Sequence, residues 1–383
     1  MIRHGCVAAA LPRALCLVLL LAVSGGSLAA PLVVNSVTLE SLRDATGAAC
    51  VGNRLFVVSH TGVVNVLDAS SAGELHSVAE VTLPAGDDTL LGATGVAAAP
   101  HPLGDSWWVW VTVGSSGSLV TLRVAEEGHA DVVSTVSSPR LVGAAQVVVR
   151  GSVALVAAVA SSLVVSVDVS DPALPAVVST VRLSGVDALD WPDAGLVRVV
   201  SGASKRLTLI SVTPRGGVAK SGSVKDVRLG AGGASRARMC TSPSDADFSV
   251  VLSDVGGTTL ALVNVTERGV PAVVQGLSGG GAAAPDTTPL LFADTSTAWP
   301  SGYTSLRGAS ALACVNGTAL VAVPSDGDGT ATGHLVAVSL SGFDTATEVL
   351  QHEALRGTSL LVATPWGVVA IAPQAGTLTS VAL

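Results

Sequence analysis

Val153-Ala154-Leu155-Val156-Ala157-Ala158-Val159-Ala160-Ser161-Ser162-Leu163-Val164-Val165-Ser166-Val167-Asp168-Val169-Ser170-Asp171-Pro172-Ala173-Leu174-Pro175, followed by Val177-Val178-Ser179-Thr180-Val181, is the stretch from which the fold is read. Its first fifteen residues carry no charge, yet Ser breaks the run at intervals that suit strands, whereas a membrane helix needs about 20 continuous apolar residues. Short aliphatic runs between turn signals read as strands buried on both faces.

The third of these strands, Val164–Asp168, recurs along the chain. Similar segments start at Val63, Leu119, Leu207, Leu260, Leu335 and Val368, giving spacings of 56, 45, 43, 53, 75 and 33 residues. Most lie near the roughly 40–50 residues of a four-stranded propeller blade. Each unit has the same internal order. A small-residue strand comes first, as in Gly47–Val51 or Ala311–Val315, then a β-branched strand such as Leu55–Val58 or Ala319–Val323. The recurring strand is third, and a fourth follows a polar turn, as in Val177–Val181. No amphipathic helix is legible. The pattern predicts an all-β chain, a β-propeller with seven four-stranded blades, six or eight being the alternatives. Leu32–Leu39 reads as a fourth strand placed ahead of its ring, able to pair with the last blade. Thr377–Leu383 is then either the third strand of that blade or one of five.

Composition agrees. Of 383 residues only 13% are charged and 3% aromatic, while 49% are apolar and 42 are Gly. Blade strands packed face to face need aliphatic side chains, and strands converging on an axis need small ones. A formal charge of −8 argues against nucleic-acid binding, which needs a basic face. Arg3 and Arg13 flank the apolar run Ala14–Val23, and Ser27-Leu28-Ala29 completes the pattern of a secretory signal cleaved after Ala29. Its removal moves the net charge to −10, since it holds two Arg and no acid. The expected organisation is a signal over 1–29 and one propeller domain over 30–383, with an insertion at about 276–306 that accounts for the 75-residue spacing. The expected location is extracellular, with cell-surface association by a C-terminal lipid anchor as an alternative, and no transmembrane span. Cys50, Cys240 and Cys314 remain after the signal. All three fall in first strands and are expected as free, buried thiols, at most one pair being able to bridge. Asn264-Val265-Thr266 and Asn316-Gly317-Thr318 are glycosylation sequons.

At its third unit the sequence resembles a known family. Val164–Pro175 with Val177–Val181 is similar to the LVIVD repeat of secreted and surface β-propellers. The full motif occurs once; other units replace the Asp-Pro turn, as in Pro214-Arg215-Gly216-Gly217 or Glu267-Arg268-Gly269-Val270. The resemblance implies a propeller and a surface role, and it brings no catalytic residues.

No catalytic motif is present. The chain has no GxSxG, no HExxH, no phosphate loop and no CxxC, and its His residues show no ligand spacing. Ser325–Gly329 resembles part of a calcium loop but lacks the bidentate Glu. Neither a metal nor a cofactor is expected. Trp107-Trp108-Val109-Trp110 places Trp108 and Trp110 on one strand face and Trp107 on the other, as wedges between blades. Two candidate ligand regions stand out. The crossovers into first strands, which lie around a propeller's channel mouth, carry Arg43, Asp44, Asp187, Arg236, Arg238 and Arg307, with His352 and Glu353. The insertion carries Phe292, Trp299 and Tyr303. The function expected from these features is a monomeric, non-enzymatic scaffold binding a protein or glycan. The alternative is a lactonase-like hydrolase with a metal at the channel mouth.

Overall fold

The middle strands of each blade are apolar on both faces because each face meets a different neighbouring blade. The structure is a computed structural model and describes residues 32–69, 73–82, 88–192, 196–230, 237–242, 245–253, 259–265, 271–278, 306, 308–323, 332–340 and 346–383. These residues form seven four-stranded antiparallel sheets. The inner strands of blades 1 to 7 are Ala45–Val51, Ala93–Pro100, Ala144–Arg150, Ala188–Asp190, Arg238–Ser242, Ala311–Val315 and Leu360–Thr364. In blade 1, Leu55 and Val57 pack toward blade 7, while Phe56 and Val58 pack toward blade 2. The same alternation gives seven apolar clusters among the described residues, one at each seam. Second strands such as Val153–Ala158 are buried throughout, whereas outer strands such as Ala130–Ser137 alternate toward solvent.

The tryptophans serve as wedges. Trp107 joins the seam of blades 1 and 2, its ring centroid 6.2 Å from that of Phe56 and 4.8 Å from the Arg54 guanidinium. Trp108 and Trp110 join the seam of blades 2 and 3.

Small residues let the inner strands converge. A Cβ on Gly47 would stand 2.9 Å from the Cα of Gly95 in the next blade. Side chains also stitch the blades. The Thr46 hydroxyl donates to the Ala93 carbonyl at 2.9 Å, and the Thr94 hydroxyl to the Ala144 carbonyl at 2.6 Å. The Gln146 amide both donates to and accepts from the Leu189 backbone, at 3.0 and 2.8 Å.

The ring closes through the N-terminal strand. Leu32–Thr38 pairs antiparallel with Thr377–Ala382, so the last blade takes its outer strand from the start of the chain. This fixes the choice left open by the sequence: Thr377–Ala382 is the third strand, and the blade has four. It also corrects the repeat assignment. Gly367–Ala372 is the second strand of blade 7, not the third, which explains the short 33-residue spacing. Helical structure among the described residues amounts to five three-residue 3-10 turns, and no helix there is long and apolar enough to cross a membrane. Residues 1–29, 279–305 and 325–329, hence the signal, most of the insertion and the calcium-like loop, lie outside the described residues.

The expectation of three free cysteines is overturned for two of them. Cys240 and Cys314 form a disulfide, with Cα atoms 5.6 Å apart, between the inner strands of blades 5 and 6. Inner strands of adjacent blades run side by side, so residues 74 apart in sequence meet there. Cys50 remains free, and burial pushes its thiol up to about 11, which keeps it protonated and inert at neutral pH. Closing a loop of this length is worth about 4 kcal/mol in the chain-entropy account. Replacing both Cys240 and Cys314 with Ser is expected to lower stability to denaturant by about that amount. Reductant should lower the wild-type midpoint and leave the double variant unmoved, which equilibrium unfolding with and without reductant measures.

Candidate functional site

The crossovers between blades share a construction that the repeat search did not detect. Each enters with a buried leucine: Leu42, Leu90, Leu141, Leu183, Leu229, Leu306 and Leu355. Two residues later the backbone turns through positive φ, at Asp44, Gly92, Gly143, Gly185, Gly308 and Gly357. The inner strand follows. The leucine anchors the loop in the seam, and the left-handed residue turns the chain down toward the axis.

Between the crossovers of blades 1, 6 and 7 lies an open cavity of about 1190 Å³. Its lining gathers Asp44, His60, Glu353 and Arg356, with Ser310 and Gln374 beside them. Backbone contacts fix where these side chains emerge. The His60 N–H donates to the Asp44 carbonyl at 3.0 Å, and the Gly92 N–H donates to the His60 carbonyl at 2.8 Å. That relay ties the second turn of blade 1 to two crossovers. In the blade 7 crossover Glu353 opens the 3-10 turn Glu353–Leu355, and the Arg356 N–H donates to the Glu353 carbonyl at 3.0 Å. The Thr358 hydroxyl donates to the Leu355 carbonyl at 2.7 Å, holding the left-handed exit of that turn.

Of the crossover residues singled out from the sequence, the structure brings Asp44 and Glu353 into this one cavity. Others serve elsewhere. Arg43 is exposed and pairs with Glu40 at 3.0 Å. Asp187 accepts the Gly202 N–H at 2.7 Å, fastening the crossover of blade 4 to that blade's own turn. Arg238 is half-buried at the start of the blade 5 inner strand, and His352 caps the 3-10 turn by accepting the Ala354 N–H at 3.0 Å. Arg236 and Arg307, like Phe292, Trp299 and Tyr303, lie outside the described residues. Asn316 is exposed on the two-residue turn Asn316-Gly317, while Asn264 is half-buried in the third strand of blade 5. His60 and Arg356 were missed. Arg356 was legible as the residue after the anchoring leucine, the place that Arg43 and Arg307 also hold. His60 sits in a short turn with no pattern of its own.

The cavity lining holds two carboxylates, one guanidinium and one imidazole, all exposed to solvent. That set can activate water, stabilise a developing oxyanion and pass protons. Among the described residues no three His, Cys, Asp or Glu side chains are grouped to hold a metal ion, so the metal in the hydrolase alternative is not carried forward.

No family model matches the chain, and no curated protein matches it. Solved structures do match. The periplasmic gluconolactonase PpgL of Pseudomonas aeruginosa aligns with a TM-score of 0.55 at 16% identity, over 85% of this chain and 88% of that one. A candidate 6-phosphogluconolactonase from Bacteroides fragilis aligns with a TM-score of 0.56 at 11% identity, over 85% and 86%. The WD40 propeller of Doa1 aligns with a TM-score of 0.58 at 9% identity, over 92% and 96%. At these identities the likeness establishes the seven-bladed propeller. The expectation of a non-enzymatic scaffold is corrected in favour of the hydrolase alternative. That expectation rested on the fold together with scattered chemistry, but the fold recurs in proteins named for lactone hydrolysis, and Asp44, His60, Glu353 and Arg356 line one cavity.

One charged pair on this face is structural. Asp226 caps the 3-10 turn Val227–Leu229 by accepting the Arg228 N–H at 2.9 Å, and its other oxygen meets Arg228 Nη2 at 2.7 Å. The Arg228 hydrogen bonds hold the Asp226 carboxyl below the usual carboxylate range. A depressed folded-state pKa contributes stability above the unfolded value of about 4 and loses it as pH falls through the folded one. Asp226→Ala is therefore expected to cost about 1–2 kcal/mol at pH 7. Urea unfolding across an acid series should show the gap to wild type closing below the ordinary carboxylate range.

Proposed function

We propose that this protein is an exported hydrolase that opens a small cyclic ester, a lactone of the sugar-acid type, in the cavity between blades 6, 7 and 1. The observation that carries the reading is that cavity, with Asp44, His60, Glu353 and Arg356 on its walls. The gluconolactonase and the candidate 6-phosphogluconolactonase among the similar propellers support the same reaction class. The secretory pattern at the N-terminus and the Cys240–Cys314 disulfide support an oxidising compartment. The LVIVD-like unit of blade 3 supports a place outside the cytosol.

Hydrolysis of a lactone asks three things of a site. A base must take a proton from water as its oxygen attacks the carbonyl carbon. A cation must stabilise the oxyanion so formed, a role that falls to the Arg356 guanidinium. A donor must protonate the ring oxygen as the carbon–oxygen bond breaks, leaving the hydroxy acid. Loss of the oxyanion donor typically lowers turnover by about 100-fold or more.

The test is hydrolysis of five- and six-membered aldonolactones by the purified chain, followed by acid release above the uncatalysed rate. Arg356→Ala, an exposed substitution, should keep the fold and lower kcat/KM by about 100-fold. Wild-type protein that fails to exceed the uncatalysed rate on any of these esters overturns the reading.

A further inference from the structure

Among the described crossovers one departs from the glycine pattern, and it sits in the cavity. The residue two after the anchoring leucine has φ between 62° and 84° in all six described crossovers where it is seen. Five use glycine, which enters this conformation without steric cost. Blade 1 uses Asp44, at φ 62°. Aspartate tolerates the left-handed region better than most side chains, yet it still pays more than glycine there. Nothing in the local construction asks for it, since Gly92, Gly143 and Gly357 perform the same turn.

The surroundings explain why a side chain is admissible at this end of the ring. A Cβ on Gly143 would fall 2.5 Å from the Ala160 backbone nitrogen, and one on Gly92 would fall 2.7 Å from the Ser115 hydroxyl. One on Gly357 would meet nothing within 4 Å, because that position borders the cavity. Where the mouth is open there is room, and in blade 1 the room holds a carboxylate. Its backbone is held on both sides, by buried Leu42 before it and by the His60 N–H on its own carbonyl. Only two side-chain torsions separate this anchored backbone from the carboxylate, so little freedom is lost in aiming it.

We infer that Asp44 is the general base of the lactone hydrolysis proposed above, an assignment that rests on that reading. The Asp44 carboxylate takes a proton from water as the water oxygen bonds to the lactone carbonyl carbon. The carbonyl electron pair moves to oxygen, opposite the Arg356 guanidinium. The oxyanion then collapses, the ring carbon–oxygen bond breaks, and the leaving alkoxide takes back the proton held by Asp44. The product carboxylic acid ionises in solution, so one water is consumed and one proton released per turnover. The ionisable groups around Asp44 are Glu40 and Arg43 on its own crossover, His60 on the adjoining turn, and Glu353 and Arg356 in the same cavity lining.

The test uses Asp44→Gly, which gives blade 1 the residue that the other five described crossovers carry there, with Asp44→Asn as a second variant. Asp44→Gly should melt at or above the wild-type temperature while kcat/KM falls by about 100-fold or more. Both variants should lose the acidic limb of the wild-type pH–rate profile, a change that a merely structural residue would not produce. A wild-type enzyme that is active, with Asp44→Gly retaining most of that activity or the acidic limb, overturns this assignment alone. A wild-type chain inactive on every lactone overturns the hydrolase reading and this assignment together.

Discussion

Seven sheets can be buried on both faces only if each has two neighbours, and the first and last blades have them only because Leu32–Thr38 pairs with Thr377–Ala382. That ladder stands between the closed ring and an open sheet stack with two aliphatic faces exposed to water. Asn35, on the closing strand, reinforces it. Its amide donates to the Leu75 carbonyl at 2.9 Å and accepts the Leu75 N–H at 3.0 Å, reaching past blade 7 into blade 1. The Leu39 N–H then donates to the Gly376 carbonyl at 2.9 Å as the chain crosses toward the mouth. Closure thus delivers the chain directly to Glu40, Leu42 and Asp44.

The cavity inherits its composition from that closure. Asp44 and His60 come from the first blade, while Glu353, Arg356 and Gln374 come from near the other end of the chain. Residues some 300 positions apart share one volume because the ring has a seam there. The cavity and the closing ladder are neighbours along the chain, since Leu39, which bonds Gly376, stands five residues before Asp44. The disulfide steadies the ring elsewhere, at the seam of blades 5 and 6, where the chain between successive inner strands is longest.

Burial on both faces is what made the blades readable. A strand such as Val153–Ala158 has no solvent side, so its aliphatic run survives in the sequence without alternation. The closing blade misled because Gly367–Ala372 is buried as completely as any third strand, and burial does not distinguish second from third. The Cys240–Cys314 bridge was not legible for a different reason. Pairing them requires knowing that inner strands of adjacent blades touch, which is a property of the ring and not of either segment. The site was half legible. Asp44 and Glu353 announced themselves as charges in a chain that has few, but His60 lies in a turn of ordinary composition. The leucine and glycine that five crossovers share, which locate Arg356, are camouflaged among 42 glycines and many leucines.

Scarcity of charge also gives the cavity its meaning. Water is met mainly at the outer strands, where Glu80, Asp131, Arg182, Lys220 and Lys225 are exposed among Ser and Thr. Those alternating rims set charges and hydroxyls against water on an otherwise aliphatic chain. A charge in a crossover has no such duty at the rim, and several are spent on the loops themselves, as Asp187 and Asp226 show. Asp44, Glu353 and Arg356 line the cavity instead, on elements whose backbone bonds are already satisfied by their own turns. Side chains released from structural work and gathered at the mouth of a closed ring are free to act on what enters it.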